Sequence, residues 1–193
     1  MELLRVLPDH TRHRAAELYW EAFGRKLGPA LAPPDRGTAF LAAHLHADRA
    51  VAVMAGETLV AVAGYQHGGR ALLGGGAPDV LRAYGPVRGL PRVALLAVLE
   101  RHAAPGELVM DGICVDPALR GQGIGGLLLD EIGAVARDLG HTRIRLDVID
   151  ANPRARALYE RHGFVAGHTE HTPYLRRLLG FGAVTTMRRK VGP

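Results

Sequence analysis

The spacing of hydrophobic positions changes several times along the chain, and each change marks an element. Glu2 to Leu7 reads as a short strand stopped by Pro8, since proline cannot donate to a ladder. Ala15, Leu18, Tyr19, Ala22 and Phe23 recur at helical spacing and predict an amphipathic helix over 11–23. Residues 24–34 hold two glycines and three prolines and read as a loop, followed by a second short helix over 38–45. The runs 50–55 and 58–66 flank Gly56-Glu57 as a hairpin. Residues 68–76 are glycine-rich and are expected to be a flexible connection. Helical stretches follow over 78–84 and 87–102, with Pro86 and Pro91 interrupting them early.

After the break at Pro105-Gly106, the apolar run Leu108 to Val115 ends at Asp116-Pro117 as a strand. A glycine-rich turn, Arg120-Gly121-Gln122-Gly123-Ile124-Gly125-Gly126, leads into an amphipathic run to Leu139, with Gly140 as its C′ residue. Thr142 to Ile149 alternates as a strand, with Ile144, Leu146 and Val148 on one face. Asn152 to Arg161 is a short helix with Pro153 in its first turn, where proline is tolerated. The last strands are 164–168 and 183–190, joined by a long loop.

Composition changes this picture little. At 193 residues with no internal repeat, the chain is expected to form one domain over 1–193 with a sizeable core. The formal charge of +5 favours an anionic ligand, but the arginines are scattered and no basic run appears, which weighs against nucleic acid. Cys114 is the single cysteine, so no intrachain disulfide forms, and its place in an apolar strand favours packing over nucleophilic chemistry. No stretch approaches 18 uninterrupted apolar residues and no signal-peptide pattern opens the chain, so no membrane partner and a cytoplasmic location are expected.

The glycine turn carries the chemistry. A turn between strand and helix can aim several N–H groups at one point, beside the partial positive charge of the helix N-terminus. That arrangement suits a phosphate or pyrophosphate. Two readings compete. Gly121, Gly123 and Gly126 fit G-x-G-x-x-G, with Asp147 about 20 residues on, the outline of a dinucleotide site. Too little chain follows for a doubly wound domain, however, and Arg120 and the 152–164 segment stay unexplained.

The second reading uses all of these residues. Arg120-x-x-Gly123-x-Gly125 after an apolar strand, then Asn152-x-x-Ala155-x-x-Leu158-Tyr159-x-x-x-Gly163-Phe164, resembles the GCN5-related N-acetyltransferase (GNAT) superfamily over residues 107–167. The resemblance implies an α+β (α/β/α) fold. Its mixed central sheet would have about seven strands, the fourth and fifth splayed apart, with helices on both faces. It implies acetyl-CoA as cofactor. The backbone of Ile113, Cys114 and Val115 would pair with the pantetheine arm, and the amides of Gly121, Gln122, Gly123, Ile124, Gly125 and Gly126 would hold the pyrophosphate. Arg120 would add charge for the phosphates, Asn152 would bond the pantetheine and Ala155 would leave it room. Asn152 as a plain N-cap and Ala155 as a plain helix former remain the simpler alternatives.

The implied reaction is direct transfer of an acetyl group to a primary amine, with a fourth-strand N–H at the oxyanion. Tyr159 matches the family tyrosine that protonates the leaving thiolate. The amine must first lose a proton, and the base is open. Asp147 lies where acetylases of protein N-termini carry an acid; the glutamate of histone-type members falls on Val109; Asp111 and Glu107 share that strand. A small-molecule amine is preferred over a protein amine, and a non-catalytic acyl-CoA-binding module is the alternative of another class. Residues 78–102 form a helical insert that would cover the substrate groove or make a homodimer contact. His168-x-x-His171 with Glu170 lacks a further close partner, so no metal site is expected; His10, His13, His44 and His46 read as surface residues.

Overall fold

The computed structural model describes residues 1–99 and 103–192. It contains β1 (Glu2–Leu4), α1 (Arg12–Leu31), α2 (Pro34–His44), β2 (Ala50–Ala55), β3 (Thr58–Gln66), α3 (Ala77–Tyr84) and α4 (Pro86–Leu99). Then come β4 (Glu107–Val115), α5 (Ile124–Asp138), β5 (Arg143–Ile149), α6 (Pro153–Arg161), β6 (Val165–His171), α7 (Arg176–Leu179) and β7 (Ala183–Lys190). The strands form one mixed sheet in the order β1-β2-β3-β4-β5-β7-β6. This is the α+β architecture that the motif order implies. No described helix is long and apolar enough to cross a membrane.

Helices cover both faces. On one, α1, α2 and α3 bury Leu18, Tyr19, Phe40, Leu41 and Val80 against Val62 and Cys114. On the other, α5 presents Ile124, Leu128, Leu129, Ile132, Val135 and Ala136 at helical spacing to Leu108, Ile144, Leu146 and Met187. At roughly 1.5–3 kcal/mol per buried large aliphatic side chain, such stripes outweigh helix propensity in deciding where helices form.

That balance explains the main correction. The loop expected over 24–34 is instead the continuation of α1 to Leu31. Leu27, Ala30 and Leu31 extend the apolar stripe and are buried. Their burial offsets about 1 kcal/mol for each of Gly24 and Gly28 and the backbone hydrogen bond that Pro29 cannot make inside the helix. Ala22, placed in the core by periodicity, is exposed, because α1 passes over a gap in the sheet there. The strand β1 stops at Leu4 rather than Leu7, and β6 reaches His171 with the short α7 beyond it. The helix expected over 87–102 is seen to Leu99; residues 100–102 lie outside the described residues.

Within the glycine-rich 68–76 segment, residues 72–75 are tied to the 44–46 stretch. His46 N–H bonds Leu72 C=O at 2.9 Å and Gly74 N–H bonds His44 C=O at 2.9 Å. Leu72 is fully buried. A Cβ on Gly74 would lie 2.6 Å from the His46 ring, so glycine serves close packing here rather than freedom.

Two irregularities in β4 create the functional gap. It pairs with β5 in parallel only at Glu107↔Arg143, Leu108↔Ile144 and Val109↔Arg145. Beyond Val109 it keeps β3 as neighbour, while β5 runs on with β7. The strands part, leaving that β4 edge without a ladder partner. The register with β3 then steps from Tyr65↔Met110 to Gly64↔Gly112, so Asp111 is the extra residue of a bulge. Alternation breaks there. Met110 and Ile113 both pack toward α5, and Cys114 packs toward α1.

Candidate active site

Two cavities meet at β4. The larger, about 1080 Å³, is lined by Ile113, Cys114, Val115, Arg120, Gly121, Gly123, Ile124, Gly125, Gly126, Asn152, Ala155 and Tyr159. The smaller, about 610 Å³, is lined by Val109, Met110, Asp111 and Asp147 together with α1, α2, α3 and α4. Gly112 is the β4 residue between them. The Phe23 ring lies over it, where a Cβ would come within 2.3 Å of the ring.

The glycine loop is built as its sequence demands. Gly121 and Gly123 have φ of +81° and +83°, values that L side chains rarely adopt. These turns leave Gln122 exposed between them, and it does not line the cavity. Nothing lies within 4 Å of a Cβ built on either glycine. Their surface is open, and the conformation rather than crowding requires glycine. Gly126 differs: a Cβ there would come 2.8 Å from the His162 ring, so this glycine lets α6 approach α5. Gly123 is also the N-cap residue of α5, so the first N–H groups of that helix face the loop. An open cradle of amides beside an unpaired strand edge fits the phosphates and the amide-bearing arm of coenzyme A. Gly123→Ala is expected to cost about 1–2 kcal/mol of loop conformation and to weaken coenzyme A binding by calorimetry, while far-ultraviolet dichroism stays unchanged.

Arg120 is held in place. Its Nε donates to Val115 C=O at 3.0 Å, and a terminal nitrogen pairs with Glu21 of α1 at 2.7 Å. Asn152 is an N-cap, its Oδ1 accepting Ala155 N–H at 3.1 Å, and it lines the cavity as well. The simple and the functional roles of Asn152 coexist.

Tyr159 is buried, with its ring 5.9 Å from that of Phe164. Burial, and then the neighbouring Cys114, push its pKa well above the ordinary value. Its hydroxyl therefore stays protonated at any working pH. The Cys114 thiol is likewise pushed up by burial, against the pull of Arg120. A neutral thiol with that environment is a packing group.

The carboxylates separate clearly. Asp111 lines the smaller cavity and its side chain is exposed there, on a strand whose preceding residues are buried. Its Oδ2 accepts Leu72 N–H at 3.0 Å. Desolvation by the surrounding protein raises its pKa to about 6, opposed by the Leu72 N–H and by Lys26. Asp147 lines the same cavity but is engaged, accepting Thr186 Oγ1 at 2.7 Å and facing Arg145 at 3.3 Å. Glu107 borders neither cavity. It is buried at the closed end of β4 with Arg188 at 2.8 Å, so it is not available as a base. His168, Glu170 and His171 lie exposed on β6, and the described residues include no group of three side chains suited to a metal.

Residues that the motifs did not single out also line the larger cavity: Glu21, Phe23, Arg154, Arg161 and His162. Arg154, Arg161 and His162 fall at i, i+7 and i+8 on α6, a spacing that could have flagged one face. Glu21 carries no local signal and Phe23 only that of a helix face; the path of α1 past β4 brings both to the cavity.

Comparison with known proteins accords with this geometry. Over 71 residues the chain is 45% identical to mycothiol acetyltransferase of Beutenbergia cavernae, covering 36% of this chain and 23% of that protein. Over 57 residues it is 41% identical to thialysine N-epsilon-acetyltransferase of Bos taurus, covering 30% of this chain and 34% of that protein. The match thus spans about a quarter to a third of those relatives. The yncA protein of Salmonella typhimurium, solved with its cofactor acetyl-CoA, shares the fold with a TM-score of 0.61 at 14% identity, over 99% of this chain and 94% of that one. The acetyltransferase (GNAT) family matches residues 12–164, and the chain belongs to that family.

Proposed function

We propose that the protein is an acetyl-CoA-dependent N-acetyltransferase, a single domain that acetylates the primary amine of a small molecule. One observation carries this reading. The parting of β4 from β5 sets an open amide cradle on one side of Gly112 and a carboxylate-bearing cavity on the other. Donor and acceptor would meet at the strand between. When bound, acetyl-CoA supplies an activated acetyl thioester, whose sulfur must leave with a proton.

The chain's own residues then divide the work. The amides of Gly121 to Gly126 and the Arg120 guanidinium hold phosphates. The unpartnered edge of β4 from Ile113 to Val115 offers backbone groups to the pantetheine arm. Asn152 and Ala155 flank that arm from α6. Asp111 takes a proton from the acceptor ammonium, and Tyr159 Oη holds a proton at the opposite side of the junction. Asp147, already bonded to Thr186 and facing Arg145, positions the acceptor rather than acting as base. The relatives include enzymes named for mycothiol and thialysine, both small molecules, which supports a small acceptor over a protein one.

Thiol release from acetyl-CoA should depend on an added amine and follow saturation in both substrates. Tight coenzyme A binding without turnover on any amine would instead identify a non-catalytic acyl-CoA-binding module.

A further inference from the structure

We infer, building on the acetyltransferase reading, that the acceptor is a primary monoamine carried on an apolar body, such as a medium alkylamine or an arylalkylamine. The cavity of about 610 Å³ on the Asp111 side has two unlike ends. At the β4 end stand Asp111 and Asp147. From α2, α3 and α4 every described lining residue is apolar, Phe40, Leu41, Val80, Val93 and Leu96 among them. These residues belong to, or pack against, the apolar core on that face.

Among the described residues, none of the charged groups that line the cavity belongs to α2, α3 or α4. Lys26 acts on Asp111, lowering its pKa against the effect of burial, and so lies near the β4 end. Arg70 faces Asp48 at 3.4 Å. Asp147 is bonded by Thr186. The His46 ring is fixed by Ala71 C=O at 2.7 Å and packs on Gly74. Asp111 is bonded by Leu72 through Oδ2, which leaves Oδ1 to receive an ammonium N–H. A second charge on an acceptor body lying against α2, α3 and α4 would therefore meet no charged partner among the described lining residues of those helices, at a desolvation cost. A methylene there is favoured. The α3–α4 segment is the wall that makes this so.

The test uses the full chain, acetyl-CoA and thiol release. The panel runs from propylamine to hexylamine and includes 2-phenylethylamine, 1,4-diaminobutane, lysine and a peptide with a free N-terminus. We expect kcat/KM to rise about fourfold per methylene, the factor for burying one CH2, with the diamine and lysine at least 100-fold behind hexylamine. Leu96→Trp, at a partly buried position, should shift the optimum to shorter amines, and Leu96→Ala to longer ones, with KM for acetyl-CoA unchanged. Highest kcat/KM for the diamine, lysine or the peptide would overturn the inference while leaving the acetyltransferase reading standing. An unmoved chain-length profile in both Leu96 variants would do the same. No turnover with any amine would overturn both.

Discussion

Asp111→Asn is expected to lower kcat/KM about 100-fold, the lower range for loss of a general base, with KM for acetyl-CoA unchanged. The wild-type rate should fall as pH drops through about 6, where the carboxylate takes up its proton. The variant should lose that limb. The raised proton affinity of Asp111 suits it to an amine substrate. A lysine-like ammonium has a pKa of about 10.4. Asp111 at about 6 lies nearer that value than an ordinary aspartate at 3.8, so it is the better matched acceptor of the proton. Desolvation by the surrounding protein is the first cause of the shift, opposed by the Leu72 N–H and Lys26. Asparagine can still accept the Leu72 N–H, and it removes a charge that burial disfavours. The variant should therefore melt no lower than the wild type, which separates lost chemistry from lost structure. Because the pKa is raised on folding, this carboxylate favours the native state more as pH falls from neutrality toward its unfolded value. Acid should therefore cost rate through this group before it costs stability. A full retention of kcat/KM at pH 7 would transfer the base role elsewhere, with Asp147→Asn as the next variant to measure.

Tyr159→Phe should lower kcat by about 100-fold with little change in coenzyme A affinity. Its pKa is raised by burial, so no alkaline limb from this group is expected in the working range. A phenol held protonated has a proton to give and cannot take one up, so its place is on the departing side of the reaction, where the thiolate must gain a proton. Phenylalanine preserves the contact with Phe164 and the packing against α5, so dichroism and melting should be retained. A kcat equal to wild type, measured where the chemical step limits turnover, would remove Tyr159 from the mechanism. Combined with Asp111→Asn, the loss should be less than the product of the two if both groups act in one transition state.

Much of the donor half was legible along the chain because its determinants are local. Gly121 and Gly123 are demanded by positive φ within a single turn, and Asn152-Pro153 is a helix start written in adjacent residues. The strand preceding the turn and the helix following it needed only period and punctuation. The error at residues 24–34 has the opposite origin. Two glycines and three prolines are strong local signals for a loop, but Leu27, Ala30 and Leu31 had a core to enter, and tertiary burial overrode them. The same holds for Gly74 and Gly75, which read as slack but are packed against His46 and Phe40.

The acceptor half was decided by tertiary structure. One-dimensional spacing cannot show that β4 and β5 stop pairing after Val109, because a strand's own residues do not record which neighbour it loses. It cannot show the bulge at Asp111 either. That one extra residue sets Asp111 and Gly112 side by side at the junction of the two cavities, where strict alternation would have sent them to opposite faces. Nor does it reveal that Asp147 is spoken for by Thr186 across the sheet while Asp111 keeps an oxygen for a ligand. Along the chain the two aspartates are equal candidates. Hydrogen-bond partners 39 residues away in sequence, different for each, are what separate them.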